Sequence, residues 1–486
     1  MIHTSALTTD FYELTMMQGY FSEKHNPDVV FEMFFRTNPF EGGYVIFAGL
    51  NDFIDKLEGL SFSDDDIGYL AGLNIFTPDF LDYLRTFTFT GDIYAIAEGT
   101  VVFPGEPLVR VHTNLIEAQL IESLMLNNLN FQSLIATKAS RISLASRRGL
   151  LMEFGLRRAQ GQDGALTASR AAFIGGAQVT SNTLAGKTYG IPVAGTMAHS
   201  WVMSFPSELD SFRAFAKYYP EKPTLLIDTY DTLGSGIENA IIVGLEQKKI
   251  GKSIGVRIDS GDLSYLPRVV RKRFDDAGLH DATISVSSDL NEEIVQTLIH
   301  DEVPIDSWGI GTHLVTGGKQ SALNGVYKLA AKQENGGPLV PTMKISNTYE
   351  KTTNPGIKQV WRFFDHEGGA LADLIALEKE HVSLGKSYTF FHPFSEVDFF
   401  EMLPERYSSC VPLLTKTVQG GKRMGTKPTL QELQAFSAEN IKHFHKTYLR
   451  LINPHIYKVS LSSKLKKMKM DLLVAQRRKA KEDVAP

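Results

Sequence analysis

The chain has 486 residues, 43% of them hydrophobic and 22% charged, and a formal net charge of −5. That length exceeds one ordinary core, so two or three soluble globular domains are expected, and the mild negative charge gives no electrostatic reason to expect nucleic acid as a partner. The single cysteine, Cys410, excludes an intramolecular disulfide framework and a cysteine-based zinc site, and no apolar run approaches the ~20 residues of a membrane span. The opening MIHTSALTTDFYELTMM lacks the basic and long apolar regions of a signal peptide, so a cytoplasmic location is expected.

A short helix is predicted around Asp10–Tyr20, then a strand in FEMFFR and the segment GGYVIFAGL. GDIYAIAEGTVVFPGEPLVRVH alternates apolar and polar residues around Gly99, Pro104, Gly105 and Pro107, which predicts antiparallel strands with tight turns. From Leu115 to about Ser146 there is no Gly or Pro, and Ile116, Leu120, Leu124, Asn127 and Phe131 fall on one stripe of a long bridging helix.

From about Met152 short apolar runs alternate with helical segments. IPVAG, TLLID, SIGVRID, TISVSSD and DSWGIG read as strands, with helices from about Pro206 and in GIENAIIVGLEQKKI between them, and NGVYKLAA is a candidate closing strand. Repeated β-then-α predicts parallel strands with crossover helices, an α/β barrel or, alternatively, an open doubly wound sheet. After about Lys332 come the loop QENGGPLVP, a turn and strand in YEKTTNPGIKQVWRFFD, an amphipathic helix in TLQELQAFSAENIKHFHKTYLRL, and a basic tail read as a solvated helix with a frayed end. The expected division is a mixed α/β domain over 1–145, an irregular parallel α/β barrel over 146–332, and a C-terminal extension over 333–486 packing on both.

Strand ends carry the chemistry. RIDSGDL ends the run SIGV with Arg257, Asp259 and Asp262: a guanidinium can fork onto phosphate, and two aspartates can hold Mg²⁺, directly or through water, or orient a sugar hydroxyl. His199 in GTMAHS is a candidate nucleophile or general acid/base, although such a residue is more often structural. Asp228 in LLIDTYD, on the neighbouring strand, is expected to accept from its Nδ1–H; capping the next helix is the equal alternative. SVSSDL (Ser287, Ser288, Asp289) and WGIGTHLVTGG (Gly309, Gly311, Thr312) supply small residues and free N–H groups suited to phosphate. Phe154 beside Arg157, Arg158 and Arg170 suits a flat anionic ring, against the plainer reading of a core Phe with surface arginines. His443 and His445 read as surface residues and not as a metal site.

These motifs in this order (TTDFYELTM, FEMFFR, EFGLRRAQG with ASRAA, GTMAHS, IDTYDT, RIDSGDL, SSDL, GIGTHLVT) resemble the nicotinate phosphoribosyltransferase family from about Thr8 to Ala331. The resemblance implies an irregular barrel beside a mixed α/β domain, a homodimer with shared active sites, and Mg²⁺-dependent transfer from 5-phosphoribosyl-1-pyrophosphate to nicotinate coupled to ATP hydrolysis. It implies that ATP phosphorylates His199, that Asp228 orients it, and that Arg257, Asp259 and Asp262 hold ribose, phosphates and magnesium. Ser288, Asp289, Gly311 and Thr312 would surround the 5′-phosphate, and Phe154 would stack on the pyridine opposite the partner subunit's Tyr12, with Arg157 close by. The segment Gly175–Thr183 contains no Asp or Glu, which favours nicotinate over nicotinamide. A sugar-phosphate lyase or isomerase explains the phosphate loops but not Phe154 with Tyr12, or His199 with Asp228.

Overall fold

The computed structural model describes residues 4–346, 352–395 and 397–482. Tertiary contacts divide the chain into two compact units, Leu134–Ser321 and a discontinuous unit of Met1–Ser133 with Ala322–Pro486. The predicted long helix runs Leu115–Ala145, and the division falls within it. Its residues 132–143 are all buried, so the stripe read from the sequence describes only its first half.

The Leu134–Ser321 unit is built on six parallel strands: β1 (Leu150–Glu153), β2 (Val179–Thr180), β3 (Thr224–Leu226), β4 (Gly255–Ile258), β5 (Thr283–Ser288) and β6 (Ser307–Ile310). Hydrogen bonding orders them β3-β4-β5-β6-β1-β2. Leu225, Ile227, Val256, Ile258, Ile284, Val286, Trp308 and Ile310 are at most 1% exposed. Such near-continuous apolar runs mark parallel strands covered on both faces by their crossover helices. Among the described residues the ladder does not return from β2 to β3, so the barrel is irregular, as expected.

Two strand expectations are corrected. IPVAG contributes one bridge, Val193 to Thr180, because Pro192 has no N–H to donate to a longer ladder. NGVYKLAA does not close the barrel. Gly325–Gln333 lies in the other unit, antiparallel to Asp28–Phe35, with Tyr327 stacked on Phe31 at 4.7 Å. Its half-buried Lys328 and Lys332 suit a strand with one polar face and would be costly between two layers of helices. The place expected for it is taken by β1 and β2.

The other unit holds a seven-stranded sheet that includes Asp28–Phe35, Asp92–Ala95 and Val109–Asn114, as the alternating segments predicted. It also holds a six-stranded sheet centred on Lys358–Phe364 and Ala370–Leu377. In the latter Arg362 pairs with Asp373 at 2.6 Å, both fully buried, among Phe103, Phe444 and Tyr457. The strand expected in YEKTTNPGIKQVWRFFD forms over Lys358–Phe364, and residues 349–351 of that segment lie outside the described ones. The amphipathic helix ends early: Leu430–Asn440 is followed by a single 3-10 turn to His443. His443 bonds the Gly368 carbonyl and His445 bonds Thr447. The tail is helical as expected, but it is solvated on one face only. Ser463–Glu482 buries Leu465, Lys469 and Leu473, with the Lys469 ammonium on Asn354 at 2.9 Å.

Candidate active site

The carboxyl ends of the parallel strands open on a cavity of about 470 Å³. Strand register explains what gathers there. Ser287 lies opposite Gly309 and Gly309 opposite Met152, so the residues one or two positions further along β1, β5 and β6 reach the same rim. β1 delivers Phe154, half-buried, followed by Arg157 and Arg158, and β2 delivers Ser181. β4 delivers Arg257 and Asp259, β5 delivers Ser287, Ser288 and Asp289, and β6 delivers Gly309, Gly311 and Thr312. Ser288 adopts φ +154°, a conformation that side-chain-bearing residues rarely hold and that clusters at ligand sites.

Arg257 is largely buried and its guanidinium donates to the Thr196 hydroxyl at 2.5 Å. Burial pushes its pKa down, Asp259 and Asp228 oppose that, and Arg157 adds to it. Its Nε is buried with no hydrogen-bond partner among the described residues. Asp259 accepts from the Ser287 hydroxyl, and its other oxygen lies 4.0 Å from His199 Nε2. His199 opens the short helix His199–Met203.

The expected His199–Asp228 pair is not formed. His199 Nδ1 lies 3.1 Å from the Thr229 hydroxyl, while Asp228 Oδ2 accepts from the Asp259 main-chain N–H at 2.9 Å and from the Ser260 hydroxyl at 2.6 Å. Asp228 therefore ties the end of β3 to the loop after β4, and the residue beside it meets the imidazole. Nor does Asp228 cap the next helix, because Asp231 accepts from Leu233 and Gly234. Asp262 is exposed and accepts from the N–H groups of Ser264 and Tyr265, so it closes the turn that leads into the helix Leu266–Asp276 and does not line the cavity. Arg170 is 3% exposed within the helix Gly161–Ile174 and is likewise absent from the lining. Tyr12 lies in the other unit, half-exposed at the start of the helix Phe11–Ser22, and burial together with the neighbouring Glu13 carboxyl raises its pKa.

Sequence reasoning missed Thr196, Thr229, Ser181 and Glu153. The first three are small polar residues whose only signal was adjacency to a strand end. Glu153 was hidden by its position inside an apolar run.

No cluster of three or more His, Cys, Asp or Glu able to hold a metal exists among the described residues. A hard cation held by one or two carboxylates, waters and substrate phosphates still fits, because Asp228 Oδ1 is buried without a hydrogen-bond partner close to the Asp259 loop.

A parallel α/β sheet whose strand ends gather an aromatic face, a largely buried arginine and two small-residue loops at one cavity has the strand-end arrangement of an α/β enzyme. Family models describing the N-terminal domain, the family region and the C-terminal domain of nicotinate phosphoribosyltransferase match residues 7–130, 150–359 and 357–469. The Bacillus subtilis (strain 168) nicotinate phosphoribosyltransferase is 39% identical over 94% of this chain and 93% of its own length. That of Homo sapiens is 33% identical over 97% of each. The crystal structure of human nicotinic acid phosphoribosyltransferase superimposes with a TM-score of 0.84 at 30% identity, covering 96% of this chain and 99% of that one. The chain belongs to the nicotinate phosphoribosyltransferase family.

Proposed function

We propose that this protein transfers the phosphoribosyl group of 5-phosphoribosyl-1-pyrophosphate to nicotinate, giving nicotinate mononucleotide and pyrophosphate for NAD biosynthesis, with ATP hydrolysis coupled to the transfer. The observation that carries the reading is one cavity joining Phe154 and the exposed Arg157 and Arg158 to Arg257 and the loops Ser287–Asp289 and Gly309–Thr312. Phe154 offers a face to the pyridine, with Arg157 and Arg158 near its carboxylate. Arg257 and the two loops offer donors to the phosphates. The pyridine nitrogen is itself the nucleophile, so the site needs no strong base and must chiefly supply position. Asp259, fixed by Ser287, stabilises the positive charge that develops at the anomeric carbon. Mg²⁺ at Asp259, with the free oxygen of Asp228 nearby, would neutralise the departing pyrophosphate.

His199 is the proposed acceptor of the ATP γ-phosphoryl group, held from Nδ1 by Thr229, and the resulting phosphohistidine would reshape the pyrophosphate pocket and raise affinity for the donor. We further propose a cytoplasmic homodimer in which the partner subunit's Tyr12 covers the pyridine. No helix of the described residues is long and apolar enough to cross a membrane. Pyrophosphate release with donor and Mg²⁺ tests the reading, comparing nicotinate with nicotinamide, each with and without ATP. ATP-stimulated release with nicotinate alone is expected. Release with nicotinamide instead would overturn the substrate, and full ATP stimulation in His199→Ala would overturn the phosphohistidine.

A further inference from the structure

Glu153 ends β1 immediately before Phe154, and strand alternation turns the two side chains to opposite sides. Phe154 lines the cavity, whereas Glu153 is 1% exposed and is absent from the lining. Three elements converge on its carboxylate. The Gly155 N–H donates to Oε1; the Ser169 hydroxyl, from the helix Gly161–Ile174, donates to Oε2 at 2.8 Å; and the Thr180 hydroxyl, from β2, donates to the same oxygen at 2.5 Å. The contacts continue outward. The Asn182 N–H donates to Thr180 at 3.0 Å and its side-chain amide to Ser169 at 3.2 Å, while the Glu153 carbonyl accepts from the Ser181 N–H at 2.8 Å. One buried carboxylate thus fixes the turn behind Phe154 and the segment that presents Ser181, both on the ring-facing wall.

We infer that Glu153 is a positioning residue that sets nicotinate specificity; this rests on the proposed reading that Phe154 stacks on the pyridine. It acts in two ways. Its three acceptor bonds hold Phe154 and Ser181 at a fixed separation across the ring site. By engaging its charge with donors from behind the wall, it keeps the one carboxylate adjacent to Phe154 off the face that meets the carboxylate of nicotinate. The empty acidic record of Gly175–Thr183 is therefore only half of the selectivity argument, because an acid does stand next to the aromatic residue and is turned inward.

The test is steady-state kinetics on the full chain with Glu153→Gln, which keeps the size and the acceptor for Gly155 but points an amide N–H₂ at two hydroxyl donors. KM for nicotinate is expected to rise at least tenfold, with kcat and KM for the phosphoribosyl donor within twofold of wild type. A nicotinate KM within twofold of wild type overturns the inference, as does a uniform loss in all constants that tracks a lower Tm. Should Glu153→Gln fail to fold, Thr180→Val removes at constant shape the hydroxyl that donates to Glu153 and accepts from the Asn182 N–H, and Thr180→Ser restores it. KM for nicotinate must rise in the first and return in the second; equal values overturn the inference. A wild-type protein with no nicotinate-dependent turnover overturns the underlying reading and this inference together, whereas an active wild type with unmoved variants overturns this inference alone.

Discussion

Gly309→Ala is the sharpest probe of the ring site. Gly309 sits mid-strand in β6 and adopts no conformation that demands glycine; what excludes a side chain is Phe154. A Cβ built at Gly309 would lie 2.8 Å from both Cδ2 and Cε2 of the Phe154 ring and 3.2 Å from the Ser287 Cβ. Ordinary contacts begin near 3.4 Å, so the ring must move by roughly half an ångström or more, since Ser287 on the neighbouring strand has little room to yield. Overpacking of this kind costs about 1–3 kcal/mol of stability. Losing a ring stack costs about 0.5–1.5 kcal/mol, or roughly 2- to 12-fold in KM for nicotinate. A misplaced ring can also lower kcat, with about 10² as the ceiling for a displacement near 1 Å. Steady-state kinetics with nicotinate and donor varied separately, alongside a thermal melt, reads each quantity. A variant with the expected drop in Tm but an unchanged nicotinate KM and kcat would show that Phe154 does not face the pyridine. A rise confined to the donor KM would do the same.

Arg257→Lys keeps the charge but loses the guanidinium fork and the bond to Thr196, so kcat/KM for the donor should fall about 10- to 100-fold, by the ~1.5–3 kcal/mol of a charge-assisted hydrogen bond, while KM for nicotinate moves little. Glu292 opens the helix after the Ser287–Asp289 loop and pairs with Lys138 at 2.6 Å and Arg141 at 2.9 Å, all three buried. Glu292→Ala should therefore cost about 3 kcal/mol, measured by guanidinium denaturation, and a loss under 1 kcal/mol would contradict the buried pairing. Burial pushes the Glu13 carboxyl from 4.5 up to about 7, with Glu122 and Asp10 adding to the effect. The folded chain then holds that proton more tightly than the unfolded chain between about pH 4.5 and 7, so this contribution to stability is full at the acid end and is lost as pH rises through the window. Glu13→Gln should flatten that part of the stability profile, and an unaltered slope in denaturant melts across the window would reject the assignment.

The parts of this molecule legible in the sequence are those whose signals are local. The runs TLLID, SIGVRID, TISVSSD and DSWGIG became β3 to β6 because a strand buried on both faces needs little beyond its own apolar residues, and the polar residues after each run could go only to the rim. Arg257, Asp259, Ser288, Asp289, Gly311, Thr312, Phe154 and Arg157 consequently meet at one cavity as expected. The errors arose where tertiary partners decide. NGVYKLAA is as good a strand as β6, but only Lys328 within it and Lys332 just after it hinted at an antiparallel sheet in the other unit. Asp228 and Thr229 are neighbours, and a difference of one residue along a loop determines which of them reaches His199; no spacing rule resolves that, because the answer lies in the N–H of Asp259, which claims the carboxylate first. Asp262 shows the same competition, since a carboxylate followed by free N–H groups in a turn closes that turn before it can serve a ligand. In a strand-end loop, then, the acid that keeps an unpartnered oxygen after the backbone has been satisfied is the better candidate for chemistry, and here Asp228 Oδ1 meets that criterion.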